Sequence, residues 1–300
     1  MQQWLRFRLL RLGEKILSSR FSWILAPLSW IWEKIVDIRN ALYDKGFLST
    51  HHVRIPVISV GNISVGGTGK TPLVICLAKR FASKRVAIIS RGYMSAGNVL
   101  SDEMQVIARH IPGALLYQGS DRVALAKRAE QDGAEWILLD DGFQHRRLHR
   151  DVDLVIERPE DLLDYVMPRG RLREGIKHLA RAVPVRIETK TIRIVDRYGK
   201  TVPSIAGERV ALFCGIGRPF RFKETIFALG ARVVAETYLG DHEPFQDVEK
   251  FFNSLDVKYL VCTEKDFVKL PILDLPILWV EIEAEISETV IEKINDKLNN

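Results

Sequence analysis

A glycine-rich stretch that ends in Gly-Lys-Thr follows an apolar segment, residues 57–60, and precedes a predicted helix. The backbone amides of such a loop can point at phosphate oxygens, and the N-terminus of the helix adds its partial positive charge. Lys70 has the length to reach the β- and γ-phosphates, and the hydroxyl of Thr71 is a typical Mg²⁺ ligand. A plain glycine-rich turn is the alternative interpretation, but the order of strand, glycines, lysine and helix favours a nucleoside triphosphate site. The residues predicted to contact phosphate are consecutive: Ser64, Val65, Gly66, Gly67, Thr68, Gly69, Lys70 and Thr71.

Two consecutive acids, Asp140 and Asp141, end a second apolar segment, residues 136–139. In a parallel sheet, ligands bind beyond the carboxyl ends of the strands, where these acids and the phosphate loop come together. Carboxylates at that place can hold Mg²⁺, directly or through water, and complete a site begun by Thr71. An ordinary Asp-Gly turn is the competing interpretation. We predict that Thr71, Asp140 and Asp141 form the metal site, and their spacing leaves open which acid contacts the metal first.

Transfer of phosphate to a hydroxyl also requires a base or an orienting carboxylate on the acceptor side. Asp102 and Glu103 follow a predicted strand, residues 85–90, and are one candidate pair. Asp241 and His242 are another, since an imidazole can position or tune a carboxylate. The acidic start of a solvated helix explains the first pair at least as well, so the residues alone leave the base undecided.

Strands and helices alternate through the first half of the chain. Strands are predicted at residues 57–60, 85–90, 114–117, 136–139 and 153–156, with helices at 72–82, 102–109 and 121–131. This alternation predicts an α/β fold of the P-loop NTPase type, with a parallel sheet covered on both faces. Residues 185–202 alternate with period two and predict an extended ribbon, beyond which further strands and helices predict a smaller α/β domain. The predicted division is a helical segment at 1–48, a P-loop kinase core at 49–184, a ribbon connector at 185–202 and the smaller domain at 203–300.

The composition restricts the kind of protein and the kind of partner. The chain has 300 residues, 47% of them hydrophobic, which suffices for a sizeable core. Its three cysteines are far apart and never form a CxxC pair, so neither a disulfide framework nor a cysteine zinc site is indicated. A net charge of +6 favours anionic partners. The basic run at residues 145–150 is short and lacks interleaved aromatics, so nucleic acid is not predicted as a partner.

Residues 1–39 differ in composition from the rest of the chain. They contain four of the six tryptophans, and seven Lys and Arg residues against three acids. The longest uncharged stretch, residues 21–32, is interrupted by Pro27 and is too short to cross a bilayer, which takes about 20 apolar residues. Cationic flanks around aromatic and aliphatic bulk are typical of a helix that lies on a membrane surface. An amphipathic helix packed on its own domain is the alternative.

Several of these motifs together resemble one known family, the tetraacyldisaccharide 4′-kinases, or lipid A 4′-kinases. The similarity runs in order through nearly the whole chain, and the presence of Ser64 in place of a glycine is usual in that family. The segments that carry the resemblance are residues 60–72, 90–93, 140–145, 168–174, 214–219, 241–242 and 263–266.

The resemblance implies a reaction and a location. The expected enzyme uses ATP and Mg²⁺ to phosphorylate the 4′-hydroxyl of a tetraacylated glucosamine disaccharide 1-phosphate, which gives lipid IVA. The nucleotide is expected between two domains that close on it. The protein is expected at the cytoplasmic face of the inner membrane, bound peripherally, with no transmembrane span and no nucleic acid partner.

The resemblance also implies roles for residues of this chain. Asp102 matches the catalytic base and His242 its partner, with Lys70 and Asp141 as the other catalytic residues. The residues implied to bind the lipid substrate are Arg91, Gln144, His145, Arg173 and Glu174.

This chain departs from the family pattern in two segments. The segment at residues 94–101 is shorter than the usual insertion and predicts a trimmed lid. Arg169 and Arg171 are extra cations, which we expect to face an anionic lipid head group.

Two other functions fit parts of the same pattern. A P-loop ATPase or nucleotide switch would hydrolyse nucleotide without a hydroxyl acceptor. A soluble small-molecule kinase would use its N-terminal helix only for packing. Detection of an acceptor and membrane fractionation distinguish these from the lipid kinase.

Overall fold

A computed structural model describes residues 22–92, 100–217, 219–238, 248–271 and 273–299 of the chain. The predicted catalytic partner His242, residues 1–21 of the N-terminal segment and most of the shortened segment at 94–101 lie outside the described residues.

The first of two sheets contains six parallel strands in the order β3-β2-β4-β1-β5-β6. The strands β1, β2 and β5 are buried along their whole length, because helices cover both faces of the sheet. The predicted parallel α/β sheet is therefore confirmed. Its strands are β1 (Val57–Gly61), β2 (Val86–Ser90), β3 (Leu115–Gln118), β4 (Trp136–Asp140), β5 (Val152–Ile156) and β6 (Val183–Val185).

Eight α-helices lie within the described residues. The helix after the phosphate loop, α2, buries Leu73 and Leu77 at the i, i+4 spacing that faces a helix toward the core. Short 3₁₀ segments at Ser22–Leu25, Pro159–Leu163 and Ile176–Arg181 complete the helical structure in this part of the chain. The helices are α1 (Ala26–Asp44), α2 (Lys70–Arg80), α3 (Asp102–His110), α4 (Arg122–Gln131), α5 (Pro219–Ala228), α6 (Val248–Asn253), α7 (Glu264–Phe267) and α8 (Glu288–Asn299).

The second sheet also has six strands, in the order β10-β9-β11-β12-β7-β8. The four strands from β9 to β12 run parallel, β7 pairs antiparallel with β12, and β8 pairs antiparallel with β7. Its strands are β7 (Glu188–Asp196), β8 (Thr201–Val202), β9 (Arg209–Cys214), β10 (Arg232–Tyr238), β11 (Tyr259–Thr263) and β12 (Ile277–Glu285).

The segment predicted as a connecting ribbon, residues 185–202, contributes to both sheets. Val185 ends β6 of the first sheet, and β7 pairs with β12 along its whole length. The extended conformation was predicted correctly from the period of two, but that period does not show which edge the ribbon joins. The first crossing of the chain from one sheet to the other is therefore confined to the residues between Val185 and Glu188.

The chain returns to the first sheet at its C-terminus. Val290, Ile291 and Ile294 of α8 are buried in the same hydrophobic cluster as the strands of the first sheet, and α8 contacts β5 and β6. Residues 203–300, predicted as one smaller domain, thus supply the four parallel strands of the second sheet and a helix that covers the first. None of the described helices combines the length and the apolar character that crossing a membrane requires.

Candidate active site

The loop between β1 and α2 has the backbone conformation of a phosphate cradle. Gly66 and Gly69 have φ angles of 104° and 89°, in the left-handed region that glycine adopts without steric cost. Gly69 precedes the first residue of α2, so the loop leads directly into the positive end of that helix. The loop is therefore compatible with the predicted phosphate contacts of residues 66–71, which stay a prediction.

The beginning of the loop is fixed by other parts of the chain. The hydroxyl of Ser64 donates to Asp161 Oδ2 at 2.9 Å, and the amide of Val65 donates to the carbonyl of Arg171 at 2.9 Å. Ser64 is 1% exposed, so its hydroxyl lies inside the protein. These contacts make Ser64 and Val65 supports of the loop, and their predicted contact with phosphate stays a prediction.

The ammonium of Lys70 lies at the centre of the site. Its Nζ is 3.5 Å from each of three acceptors, Asn62 Oδ1, Thr68 Oγ1 and Asp141 Oδ1. These are long contacts for hydrogen bonds, so no single acceptor holds the ammonium tightly. A phosphate in the loop can compete for it.

Asp140 and Asp141 differ in surroundings although they are neighbours in sequence. Asp140 is 4% exposed, and its Oδ1 has no hydrogen-bond partner among the described residues. Burial raises the pKa of Asp140 to about 6, against the opposing charge of Lys70. The pKa of Asp141 is lowered, because the charges of Lys70 and Arg173 outweigh the effect of burial.

The backbone of Asp141 is also held by a neighbouring cation. Its φ of 53° is unusual for a residue other than glycine, and its carbonyl accepts a hydrogen bond of 2.8 Å from Arg122 Nη1. Arg122 is 5% exposed, so the strained backbone of Asp141 is hydrogen-bonded to a buried cation.

Arg173 and Gln144 form one wall of the site. Arg173 Nη1 lies 2.8 and 2.9 Å from the two carboxylate oxygens of Asp141 and 3.2 Å from Gln144 Oε1. Gln144 Nε2 donates to the carbonyl of Asn62 at 2.9 Å. The structure therefore brings these two predicted substrate residues against the phosphate loop and Asp141.

Glu174 lies beneath this wall and is only 1% exposed. Its carboxylate accepts hydrogen bonds from Gln144 at 2.8 Å, Arg181 at 2.8 Å and Asn40 of α1 at 3.2 Å. Glu174 thus ties α1 to the site from inside, and its contact with substrate stays a prediction.

The other two predicted substrate residues are Arg91 and His145. Arg91 is exposed at the end of β2. His145 is half-buried, and burial together with the charges of Arg122 and Arg150 lowers its pKa to about 4. The imidazole is therefore neutral at physiological pH.

Asp102, the predicted base, is the first residue of α3 and follows the N-cap residue Ser101. Its Oδ2 is 3.7 Å from Lys269 Nζ, across the boundary between the two sheets. Glu103, the next residue, is close enough to Asp140 for its charge to help raise the pKa of that acid. The start of α3 therefore lies beside Lys269, which follows β11 of the second sheet.

Comparison with known proteins identifies the family. The chain matches the family described as LpxK, tetraacyldisaccharide-1-P 4′-kinase, over residues 21–299. The chain belongs to the tetraacyldisaccharide-1-P 4′-kinase family.

Relatives and a solved structure agree with this membership. The tetraacyldisaccharide 4′-kinase of Aquifex aeolicus is 34% identical over 82% of this chain and 89% of its own length. That of Syntrophus aciditrophicus is 31% identical over 89% of this chain and 90% of its own. The crystal structure of the "apo" form of LpxK from Aquifex aeolicus, in complex with ATP, has a TM-score of 0.79 at 30% identity. The match covers 93% of this chain and 98% of that one.

The sequence did not reveal several residues that shape this family member's site. Asn62 Oδ1 contacts the ammonium of Lys70, and its carbonyl accepts a hydrogen bond from Gln144. Its position directly after Gly61 in the glycine-rich loop could have indicated that it belongs to the site. Arg122 and Asp161 lie in segments without a motif, so nothing in the sequence placed them near the loop. Lys269 lies three residues beyond the segment at 263–266, and only the fold brings it to Asp102.

Proposed function

We propose that this chain transfers the γ-phosphate of ATP to the 4′-hydroxyl of a tetraacylated glucosamine disaccharide 1-phosphate, with lipid IVA as the product. The family membership supports the activity, and the ATP complex of the Aquifex aeolicus relative supports the nucleotide. The observation that carries the proposal is the convergence of the phosphate loop and the two acids, with Lys70 Nζ 3.5 Å from Asp141 Oδ1.

The residues at the strand end fit Mg²⁺. No cluster of three or more His, Cys, Asp or Glu residues able to hold a metal occurs in the part of the chain that the structure describes. Mg²⁺ needs no such cluster, because it takes one or two carboxylates together with phosphates and water. Asp140, whose buried Oδ1 lacks a partner among the described residues, and Thr71 at the start of α2 supply suitable oxygens. When bound, the ion neutralises charge on the β- and γ-phosphates.

The remaining chemistry is positioning and proton transfer. Lys70 exchanges its loose contacts for the phosphate oxygens and stabilises the developing charge. Asp102 accepts the proton of the 4′-hydroxyl while the new P–O bond forms and the bond from the γ-phosphorus to its bridging oxygen breaks, which releases ADP. The role we propose for Arg91, Gln144, His145, Arg173 and Glu174 is to bind the lipid substrate, and His242 partners the base.

A test of the reaction is transfer of radiolabelled γ-phosphate from ATP to the purified disaccharide lipid, with and without Mg²⁺. We expect label in the lipid only with Mg²⁺, and a loss of two or more orders of magnitude in Lys70→Ala. Lys79→Ala is the matched control, because Lys79 lies on the same helix but pairs with Glu283 at the surface. ATP hydrolysis with no label in the lipid would favour the nucleotide switch or ATPase.

We also propose peripheral binding to the inner membrane, on its cytoplasmic face. The helix α1 turns polar residues inward, since Ser29 and Asn40 are buried. Val36 is the one buried apolar residue of α1, and the other large apolar side chains of the helix face outward, the reverse of a helix packed on a soluble core. Exposed apolar side chains in and near it are Trp23, Ile24, Leu28, Trp30, Ile31, Trp32, Ile35 and Ile38.

A second exposed apolar segment supports the same proposal. Leu163 is 87% exposed, and the loop that follows it contacts α1, where the amide of Arg169 donates to Ser29 Oγ at 2.8 Å. Arg171, 45% exposed at its side chain, lies in this loop and pairs with Asp164. Apolar bulk beside arginines suits an anionic bilayer.

Flotation with vesicles that contain anionic lipid tests this surface. We expect the unmodified protein to float with the vesicles, and the pair Ile31→Ser and Leu163→Ser to float at least tenfold less. Phe227→Ser is the matched control, because Phe227 is 52% exposed but lies on α5 beside the second sheet. Equal flotation of all variants would contradict this surface as the membrane contact, whereas no flotation of the unmodified protein would favour the soluble kinase.

A further inference from the structure

A network of ion pairs joins α3, which flanks the first sheet, to the segment that follows β11 of the second. Glu264 Oε2 is 2.8 Å from His110 Nε2, and Lys265 Nζ is 2.7 Å from Glu103 Oε1. Lys269 completes the network through Asp102. The helix that begins with the proposed base is thus held by charged groups from the other half of the molecule.

Lys269 lies between two carboxylates. Its Nζ is 3.0 Å from Asp266 Oδ1 and 3.7 Å from Asp102 Oδ2, and its side chain is 12% exposed. The ammonium makes no hydrogen bond to either acid among the described residues, so it acts on them as a nearly buried point charge. A buried ammonium depends on such partners, because its desolvation is otherwise uncompensated.

The acid that anchors Lys269 is itself rigidly held. Asp266 is 2% exposed, and it accepts hydrogen bonds from the amide of Gly215 at 3.0 Å and the hydroxyl of Thr263 at 2.5 Å. Two residues beyond Gly215, Gly217 packs on Gly67, where a Cβ built on Gly217 falls 2.6 Å from the Gly67 amide nitrogen. Asp266 therefore links Lys269 to the turn that touches the phosphate loop.

We propose that Lys269 is a positioning residue for phosphoryl transfer, which holds the Asp102 carboxylate at a fixed place relative to the phosphate loop. This role rests on the proposed function, in which Asp102 accepts the proton of the acceptor hydroxyl. Lys269 acts through Asp102 and through Asp266. Its ammonium offsets the charge of Asp102, so the acid keeps its place at the start of α3 instead of turning toward other cations of the site.

The test compares two lysines of the same segment. In Lys269→Met, we expect kcat for lipid phosphorylation to fall at least tenfold, while KM for ATP stays within twofold. Lys269→Arg should recover at least a third of the lost kcat, because it restores the cation. Lys265→Met is the matched control: it also removes a cation that pairs with α3, through Glu103, and we expect its kcat to stay within twofold. Thermal unfolding of each variant shows that it is folded.

A double-mutant cycle separates positioning from simple packing. In an Asp102→Asn background, Lys269→Met should lower the residual kcat by less than twofold, because both changes act on one carboxylate. An undiminished effect in that background, or an equal loss of kcat in Lys265→Met, would overturn the role of Lys269. A lack of lipid phosphorylation by the unmodified protein would overturn the proposed function and this role with it. Normal phosphorylation by the unmodified protein with unchanged kcat in Lys269→Met would overturn this role alone.

Discussion

Asp140 and Asp141 are neighbours with different electrostatic surroundings. The left-handed backbone of Asp141 turns its carboxylate toward Lys70 and Arg173, whereas Asp140 keeps an oxygen inside the protein with no partner among the described residues. A divalent cation would compensate that buried oxygen, so Asp140 is the better candidate for direct contact with the metal. Asp141 instead orients the cations around the phosphates.

The neutral imidazole of His145 leads to a prediction about pH. Its pKa is about 4 in the folded protein, against 6.5 for an unperturbed histidine, so between these values the unfolded chain binds a proton that the folded chain does not. The stability that depends on a neutral His145 is fully present above pH 6.5 and is lost as pH falls toward 4, because the unfolded chain gains a proton first. Between pH 7.5 and pH 5 we expect the unmodified protein to lose about 2 kcal/mol more unfolding free energy than His145→Gln. Urea unfolding at the two pH values measures this, and equal losses would contradict it.

The site residues were predictable from the sequence where a short local motif marks them. Lys70, Asp140 and Asp141 each stand at a strand end or helix start that the sequence marks, and the structure brings them together. Ser64 was predicted beside phosphate, yet its hydroxyl binds Asp161, which is 97 positions away. Spacing along the chain cannot show such a partner, because only the packing of the 159–163 segment places it there.

The turn after β9 is an element whose packing bears directly on the phosphate loop. A Cβ on Gly217 falls 2.6 Å from the backbone nitrogen of Gly67. A side chain at residue 217 would therefore require the backbone of the phosphate loop or of the turn to shift. We expect Gly217→Ala to raise KM for ATP at least tenfold with a small change in melting temperature, since the contact lies outside the hydrophobic clusters. Steady-state kinetics and titration calorimetry with ATP measure the effect.

A matched glycine controls for the substitution itself. Gly113 has nothing within 4 Å of a built Cβ and no left-handed φ. Gly113→Ala should therefore leave KM for ATP unchanged. A normal KM in Gly217→Ala would mean that the turn moves away from the phosphate loop when nucleotide binds.

The elements themselves follow from patterns in the sequence, but their partners do not. Apolar runs located β1 to β5 of the first sheet to within one or two residues but missed β6, since a strand buried on both faces has to be apolar throughout and β6 has only three residues. The alternation in β7 predicted an extended segment without its partner, since backbone hydrogen bonds to β12 are not specific to sequence. The domain boundaries remain predictions for this reason.

At the scale of the whole molecule, the two halves are held together by two crossings of the chain and by buried surface. Exposed ion pairs such as Arg80 with Glu288 contribute little, about 0 to 1 kcal/mol each. The stronger connection is α8, which leaves β12 of the second sheet and buries three aliphatic side chains against the first. The apolar spacing in α8 is typical of a helix, but either sheet could have accepted its apolar face.

Because α8 packs on the first sheet, a substitution in α8 should affect the stability of the two sheets differently. Ile294 is fully buried, so Ile294→Ala should cost about 2–5 kcal/mol of unfolding free energy, whereas Lys293→Ala on the exposed face should cost less than about 0.5 kcal/mol. Hydrogen exchange locates the loss: because Ile294 packs with the first sheet, amides of β5 and β6 should lose more protection than those of β9 and β11. The opposite pattern would place α8 with the second sheet and contradict the packing described above. Loss of protection in both sheets alike would mean that the molecule unfolds as one cooperative unit, in which α8 couples the nucleotide half to the half that carries Lys269.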